Sequence, residues 1–191
     1  MGKVVVSQFV TVDGVVEDPG GSEKSPYGGW AFQFDRGAEG DQFKFDEVTA
    51  AEALLLGRRT YEGFAEAWPS REGEFADKFN NMPKYVVSST LDDPAWNNTT
   101  VLGTDVPAAV ARLKGEIAGD ILVNGSVQLA GELIDHDLVD ELRLMVFPIV
   151  IGGGLRLFGE RKVPRPLRLI ESRQAGETLI TIYAPADAAA R

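Results

Sequence analysis

Residues 54–64 read LLLGRRTYEGF, and the fold turns on that stretch. Leu54-Leu55-Leu56 is a short continuous apolar run closed by Gly57, the pattern of a strand buried on both faces of a parallel sheet. Arg58, Arg59 and Thr60 follow at once, and Tyr61, Phe64 and Ala67 continue at helical spacing until Trp68-Pro69 stops them. Thr60 is the expected cap of that helix. A core strand that runs into glycine, two cations and a helix start is suited to an anion. Glycine allows close backbone approach, while the helix amino terminus and the guanidiniums favour negative charge.

The flanking sequence alternates in the same way. Val4 to Val12 reads as a β-branched strand with a turn at Asp13-Gly14, resumed briefly by Val15 and Val16. A loop rich in Gly, Pro and Ser runs from Glu17 to about Gly40, with Trp30, Phe32 and Phe34 arguing for partial packing. Asp41 to Ala53 suits a helix with Phe45, Val48 and Ala51 on one face. A helix from Glu74 to Asn81 and strands from Lys84 to Ser88 and Thr99 to Leu102 follow. Asp105, with Pro107 in the first turn, starts a helix through Leu113. Ile121-Leu122-Val123 is a strand, then Asn124-Gly125-Ser126 opens a helix through Leu129 and Leu133. Glu141 to Ile151 reads as a long strand broken by Gly152-Gly153-Gly154. Strands Leu167 to Ser172 and Thr178 to Ala184 close the pattern around a turn at Gln174-Ala175-Gly176. Asp187 to Arg191 is expected to fray. This order predicts one α/β domain over residues 1–191, three-layered, with a mostly parallel central sheet and an antiparallel hairpin at its carboxyl end.

The chain has 191 residues, 44% hydrophobic and 25% charged, which suits a cored globular domain. A formal net charge of −10 opposes general affinity for phosphate backbones, so nucleic acid is not an expected partner. With no cysteine, there is no disulfide, thiolate nucleophile or zinc-thiolate site. The start MGKVVVSQFV is too soon polar for a signal peptide, and no apolar run has membrane-spanning length. A cytoplasmic protein is expected.

In open α/β sheets ligands sit beyond the carboxyl ends of the strands. Those ends are Gly57-Arg58-Arg59-Thr60, Ser88-Ser89-Thr90 and Asn124-Gly125-Ser126. Each alone admits a plain reading as surface charge, turn or cap. Their coincidence at three strand ends points to a phosphate-bearing ligand of dinucleotide size. Neither G-x-G-x-x-G after a strand nor G-x-x-x-x-G-K-[ST] is present, so an ordinary Rossmann or P-loop assignment fails.

These segments carry a resemblance. LLLGRRTYEGF resembles the G-R-x-T-[WY]-E segment of dihydrofolate reductases. KYVVSST is similar to their strand-plus-Ser-Ser segment, and ILVNGSVQLAGELI to their glycine-containing strand-to-helix junction. VDELRLMVFPIVIGGGLRLF is closer to the reductase domain of bacterial riboflavin biosynthesis, the RibD C-terminal domain, with its D-E-L-x-L…P-x-x-x-G-G-G…L-F pattern. The ordered set spans about residues 3–184.

The resemblance implies a dihydrofolate reductase-like α/β/α fold, NADPH as cofactor and a small-molecule substrate. The reaction implied is that of 5-amino-6-(5-phosphoribosylamino)uracil reductase, with a dihydrofolate reductase or a non-catalytic nucleotide-binding protein as alternatives. By the same resemblance Gly57, Arg58, Arg59 and Thr60 face the cofactor phosphates, and Ser88 and Ser89 the adenosine 2′-phosphate. Asn124, Gly125, Ser126 and Val127 lie by the pyrophosphate and nicotinamide. Val12, Asp13 and Gly14 approach the nicotinamide and substrate, with Trp30 as a substrate-side wall or a loop anchor. Counting back from Gly57 puts Asp41 at the carboxylate position of folate reductases, with Asp46 and Glu47 as alternatives. His136, the only histidine, reads as an exposed turn residue, and the triple glycine as a turn or bulge. A homodimer through the terminal strands is expected, since their exposed edges are otherwise a liability.

Overall fold

The computed structural model describes residues 1–103, 105–159 and 163–186; the expected frayed tail, 187–191, lies outside them. Eight strands form one sheet: β1 (Lys3–Thr11), β2 (Ala51–Gly57), β3 (Lys84–Val87), β4 (Thr99–Leu102), β5 (Asp120–Asn124), β6 (Glu141–Phe147), β7 (Leu167–Ala175) and β8 (Thr178–Pro185). Their order is β4-β3-β2-β5-β1-β6-β8-β7. Pairs from β4 to β6 are parallel, and β8 joins β6 and β7 antiparallel.

Helices α1 (Gly37–Ala50), α2 (Arg58–Ala67) and α3 (Glu74–Asn81) cover one face; α4 (Val106–Glu116) and α5 (Val127–Asp135) cover the other. The leucine run explains why both faces need cover. Leu54 and Leu56 point into the cluster with Val48, Tyr61 and Phe79, while Leu55 points into the cluster with Val110 and Leu133. All three leucines are fully buried, each contributing about 1.5–3 kcal/mol by transfer from water. A third cluster, with Trp30, Phe43, Met145, Phe147 and Ile180, fills the side toward the antiparallel strands.

Four expected boundaries shift for physical reasons. The first helix starts at Gly37 and ends at Ala50, because Ala51-Glu52-Ala53 already alternates buried, exposed, buried as the start of β2. Its buried face is Gly40, Phe43, Glu47 and Val48; Phe45 packs half-buried and tilted against Phe75 of α3 instead. Strand β6 ends at Phe147 because Pro148 has no N–H for the ladder. The β7–β8 turn is Gly176-Glu177, and its tip docks on the start of α1: Glu177 N–H donates to Asp35 O at 2.7 Å. A Cβ on Gly176 would lie 2.3 Å from that same oxygen, and its φ is +56°, so glycine is required.

Candidate functional site

Strand β2 leads outward to β3 on one side, and its neighbour β5 leads to β6 on the other. The connections therefore part at adjoining carboxyl ends, where ligand crevices form. A cleft of about 900 Å3 opens there. Because Ser7 pairs with Asn124, the last residue of β5, Gln8 and Phe9 run on past β5 and line the cleft as well.

The two strand ends are locked to each other. Gly57 N–H donates to Ser126 Oγ at 2.8 Å, and Ser126 N–H donates to Thr60 Oγ1 at 3.0 Å. Gln8 Nε2 donates to Gly125 O at 2.7 Å, tying in β1. Gly57, not Thr60, is the residue that caps α2. Gly57 has no side chain to cap α2, and the Ser126 hydroxyl is used in this lock, so two helix amino termini without side-chain caps open on one cleft. Ser126 itself holds the left-handed conformation, φ +60° and ψ 59°, costly for a residue with a Cβ and characteristic of functional turns.

Arg58 and Arg59 stand at the first turn of α2 and line the cleft. Arg58 pairs with Glu62 at 2.8 Å along the helix. The charge of Arg59 also reaches Glu17 and Glu23, which line the same cleft, as a minor influence on each. Glu17 is held below its ordinary value chiefly by the Ser25 hydroxyl and then by Leu155 N–H. Glu23 is raised by burial and by Asp18. Ser88 Oγ accepts from Thr90 and Leu91 N–H at 3.1 and 3.0 Å, leaving its own proton to donate.

The residues expected at the cofactor all line this cleft: Gly57 to Thr60, Ser88, Ser89, and Asn124 to Val127. Those expected on the substrate side do not. Trp30 is 1% exposed; its indole N–H donates to Glu17 O and its ring meets Phe147 edge-on, so it anchors the loop. Asp13 is a clamp for the glycine turn, accepting from Thr11 Oγ1 at 2.6 Å and from Ile151 and Gly152 N–H at 3.2 and 2.8 Å. Val12 is exposed beside it, its N–H donating to Ile149 O. Asp41 faces solvent, paired with Arg36 at 2.5 Å. His136 is exposed at the end of α5, as its sequence context implied.

Sequence reasoning missed the floor and far wall. Gln8 and Phe9 form the floor, and Phe32, Arg36 and Lys44 line the far side. The signal was there in VVVSQFV, where Ser7 and Gln8 interrupt an otherwise apolar central strand. The loop wall is built around Asp18, whose carboxylate accepts from Glu23 and Ser25 N–H and whose carbonyl accepts from Gly21 and Gly29 N–H. Among the described residues no cluster of His, Asp or Glu could hold a metal ion, and no helix is long and apolar enough to cross a membrane.

Residues 2–181 match the RibD C-terminal domain family. The chain is 28% identical over 181 residues to the uncharacterized protein YwjB of Bacillus subtilis, covering 95% of this chain and 97% of that one. It superposes on a putative riboflavin biosynthesis protein from Shewanella sp. PV-4 with a TM-score of 0.77 at 20% identity, over 97% and 99% of the two chains. Dihydrofolate reductase from Enterococcus faecalis, complexed with NADP(H) and RAB-propyl, matches with a TM-score of 0.60 at 19% identity, over 97% of each chain. The fold is dihydrofolate reductase-like.

Proposed function

The chain belongs to the RibD C-terminal domain family, and on that premise we propose that it is an NADPH-dependent reductase acting on a pyrimidine- or pterin-like heterocycle, in the manner of 5-amino-6-(5-phosphoribosylamino)uracil reductase. One observation carries the reading: two helix amino termini without side-chain caps open on the same cleft as Arg58 and Arg59. That donor set fits the phosphates of a dinucleotide, since backbone N–H groups and guanidiniums are good anion donors. Ser88 and Ser89 lie along the same cleft, offering hydroxyl donors for a 2′-phosphate and a reason to prefer NADPH to NADH. The similar dihydrofolate reductase from Enterococcus faecalis, complexed with NADP(H), supports the same cofactor.

When bound, the nicotinamide supplies the hydride; the chain supplies position and shelter. Gly57 lets the cofactor backbone approach, and the Ser126–Thr60 lock fixes the two helix ends relative to each other. Phe9 offers a flat apolar platform, and the Asp18-centred loop closes the side away from the helices. The folate-reductase alternative is weakened because Asp41 points to solvent. We propose as well that the chain pairs as a homodimer through β7, an edge strand exposing Leu167, Leu169 and Ile170.

The test is NADPH oxidation with 5-amino-6-(5-phosphoribosylamino)uracil and dihydrofolate in parallel, alongside direct NADPH titration. Oxidation with the uracil supports the reading, and oxidation with neither overturns both enzyme assignments. NADPH binding without turnover leaves the nucleotide-binding alternative. Arg59→Ala should weaken NADPH binding about tenfold or more, and Arg58→Ala less, because Glu62 already engages that guanidinium.

A further inference from the structure

The carboxylate sought beside the cleft is not at its surface; an ammonium is. Glu47 is 1% exposed and does not line the cleft, whereas Lys44 and Ser7, which cover it, do. Lys44 Nζ donates to Ser7 Oγ at 2.8 Å and to Glu47 Oε2 at 2.5 Å, and Ser7 Oγ donates to Glu47 Oε2 at 3.0 Å. Glu47 Oε1 accepts no hydrogen bond, with the Arg143 guanidinium 3.7 Å away. Arg143 is itself engaged more closely by Glu141, at 2.6 Å, so Lys44 is the near counter-charge of Glu47. An ammonium has three N–H donors, and these contacts use two. Beside it, Phe9 carries Lys44 Nζ 5.3 Å and the Arg36 guanidinium 5.7 Å from its ring centre. This end of the cleft is an aromatic surface with two cations over its ring, Arg36 already paired with Asp41 and Lys44 with Glu47.

We infer that Lys44 determines specificity at the substrate end, its remaining N–H donating to a carbonyl or carboxylate oxygen of a planar ring lying against Phe9. The inference rests on the reading of this cleft as the reductase site. Oxo-substituted or anionic heterocycles satisfy the ammonium. A ring presenting a protonated amidine meets like charge at Lys44, and Glu47 is buried behind that ammonium. Ser7 and Glu47 are positioning residues: they fix the lysine, which would otherwise sample many rotamers.

Orotate and 2,4-diaminopyrimidine are size-matched probes of opposite character. Each is titrated calorimetrically into the wild type, Lys44→Met and Lys44→Arg, with and without saturating NADPH. The wild type should prefer orotate by about tenfold or more, the expected scale of a charge-assisted bond. Lys44→Met should lose about tenfold to a hundredfold in orotate affinity, with Lys44→Arg retaining most of it and NADPH affinity unchanged in both. Orotate affinity in Lys44→Met within about twofold of wild type overturns the inference, as does wild-type preference for the diaminopyrimidine or failure to bind orotate. Should the methionine variant not fold, Lys44→Gln is read in the same way. A protein that binds orotate through Lys44 but takes up no NADPH loses the reductase reading and keeps this one.

Discussion

Ser126 holds the cleft together with one hydroxyl and one amide, and replacing it by alanine or glycine separates the loss of that hydroxyl from the strain of its backbone. Alanine removes the acceptor for Gly57 N–H, a 2.8 Å bond in a half-buried setting. The loss is about 1–2 kcal/mol, between the net value of a hydrogen bond and the cost of stranding a partly buried donor. Alanine keeps the left-handed φ of +60° and its strain. Glycine loses the same bond but relieves about 1 kcal/mol of that strain, so its net cost should be about 0–1 kcal/mol. The expected order of stability is wild type, then Ser126→Gly, then Ser126→Ala. Urea unfolding followed by the fluorescence of buried Trp30 and Trp96 gives the midpoints, compared at unchanged m. Both variants should also bind NADPH more weakly, because α2 and α5 lose one of the two bonds that lock them together. An alanine variant as stable as wild type would refute the reasoning, and so would a glycine variant less stable than alanine.

Two pH-linked predictions concern groups away from the cleft. Lys84 is fully buried, donating to Asn80, Met82 and Asn97 carbonyls at 2.6, 3.0 and 3.1 Å, and burial holds its ammonium at about 8 against an ordinary 10.5. The unfolded chain therefore holds the extra proton between those values, and stability should rise with pH across that window by at most about 3 kcal/mol. The carbonyls and the Trp96 ring at 4.2 Å oppose the shift, which makes that figure a ceiling. Lys84→Met should flatten this slope in denaturation series between those pH values; parallel slopes would count against it. Asp13 is held at about 2, against 3.8, by the Thr11 hydroxyl first and then by Gly152 and Ile151 N–H. Its stabilisation is full above the ordinary value and lost as pH falls toward about 2, so thermal melts of Asp13→Asn and wild type should converge on acidification. A constant gap would contradict the clamp.

The fold was legible where one signal decided it. LLLG requires apolar neighbours on both faces, and no later contact alters that requirement. The three strand-end segments were legible because a parallel sheet brings such ends to one edge whatever their spacing in the chain. The far wall was hidden because its geometry depends on distant partners. Glu47 looks like a solvent-facing residue of an ordinary helix until Ser7, 40 residues away, and Arg143 are placed around it. Counting back from Gly57 gave Asp41 because counting assumes which side of α1 faces the cleft. The side was set instead by burial of Phe43 and Val48, which turns Lys44 toward the cleft and Asp41 outward. Ala51 and Ala53 read as helix because alanine favours helices, until pairing with β5 claims them.

The loop after β1 is stitched to a much later segment. Asp13 accepts from Ile151 and Gly152, Glu17 accepts from Leu155, and Tyr27 covers Gly153, across separations of up to 139 residues for the hydrogen bonds. Strand β1, the cleft floor, likewise has both its partners, β5 and β6, in the second half of the chain. Such distant pairings carry large loop-closure entropy and form late. During synthesis, then, the first hundred residues emerge with every cleft-lining group of β2 and β3 already made but without the strands that hold them in register. The cleft floor should therefore set only once β5, β6 and the glycine turn have emerged, and a chain arrested earlier should expose the apolar β1 to chaperones.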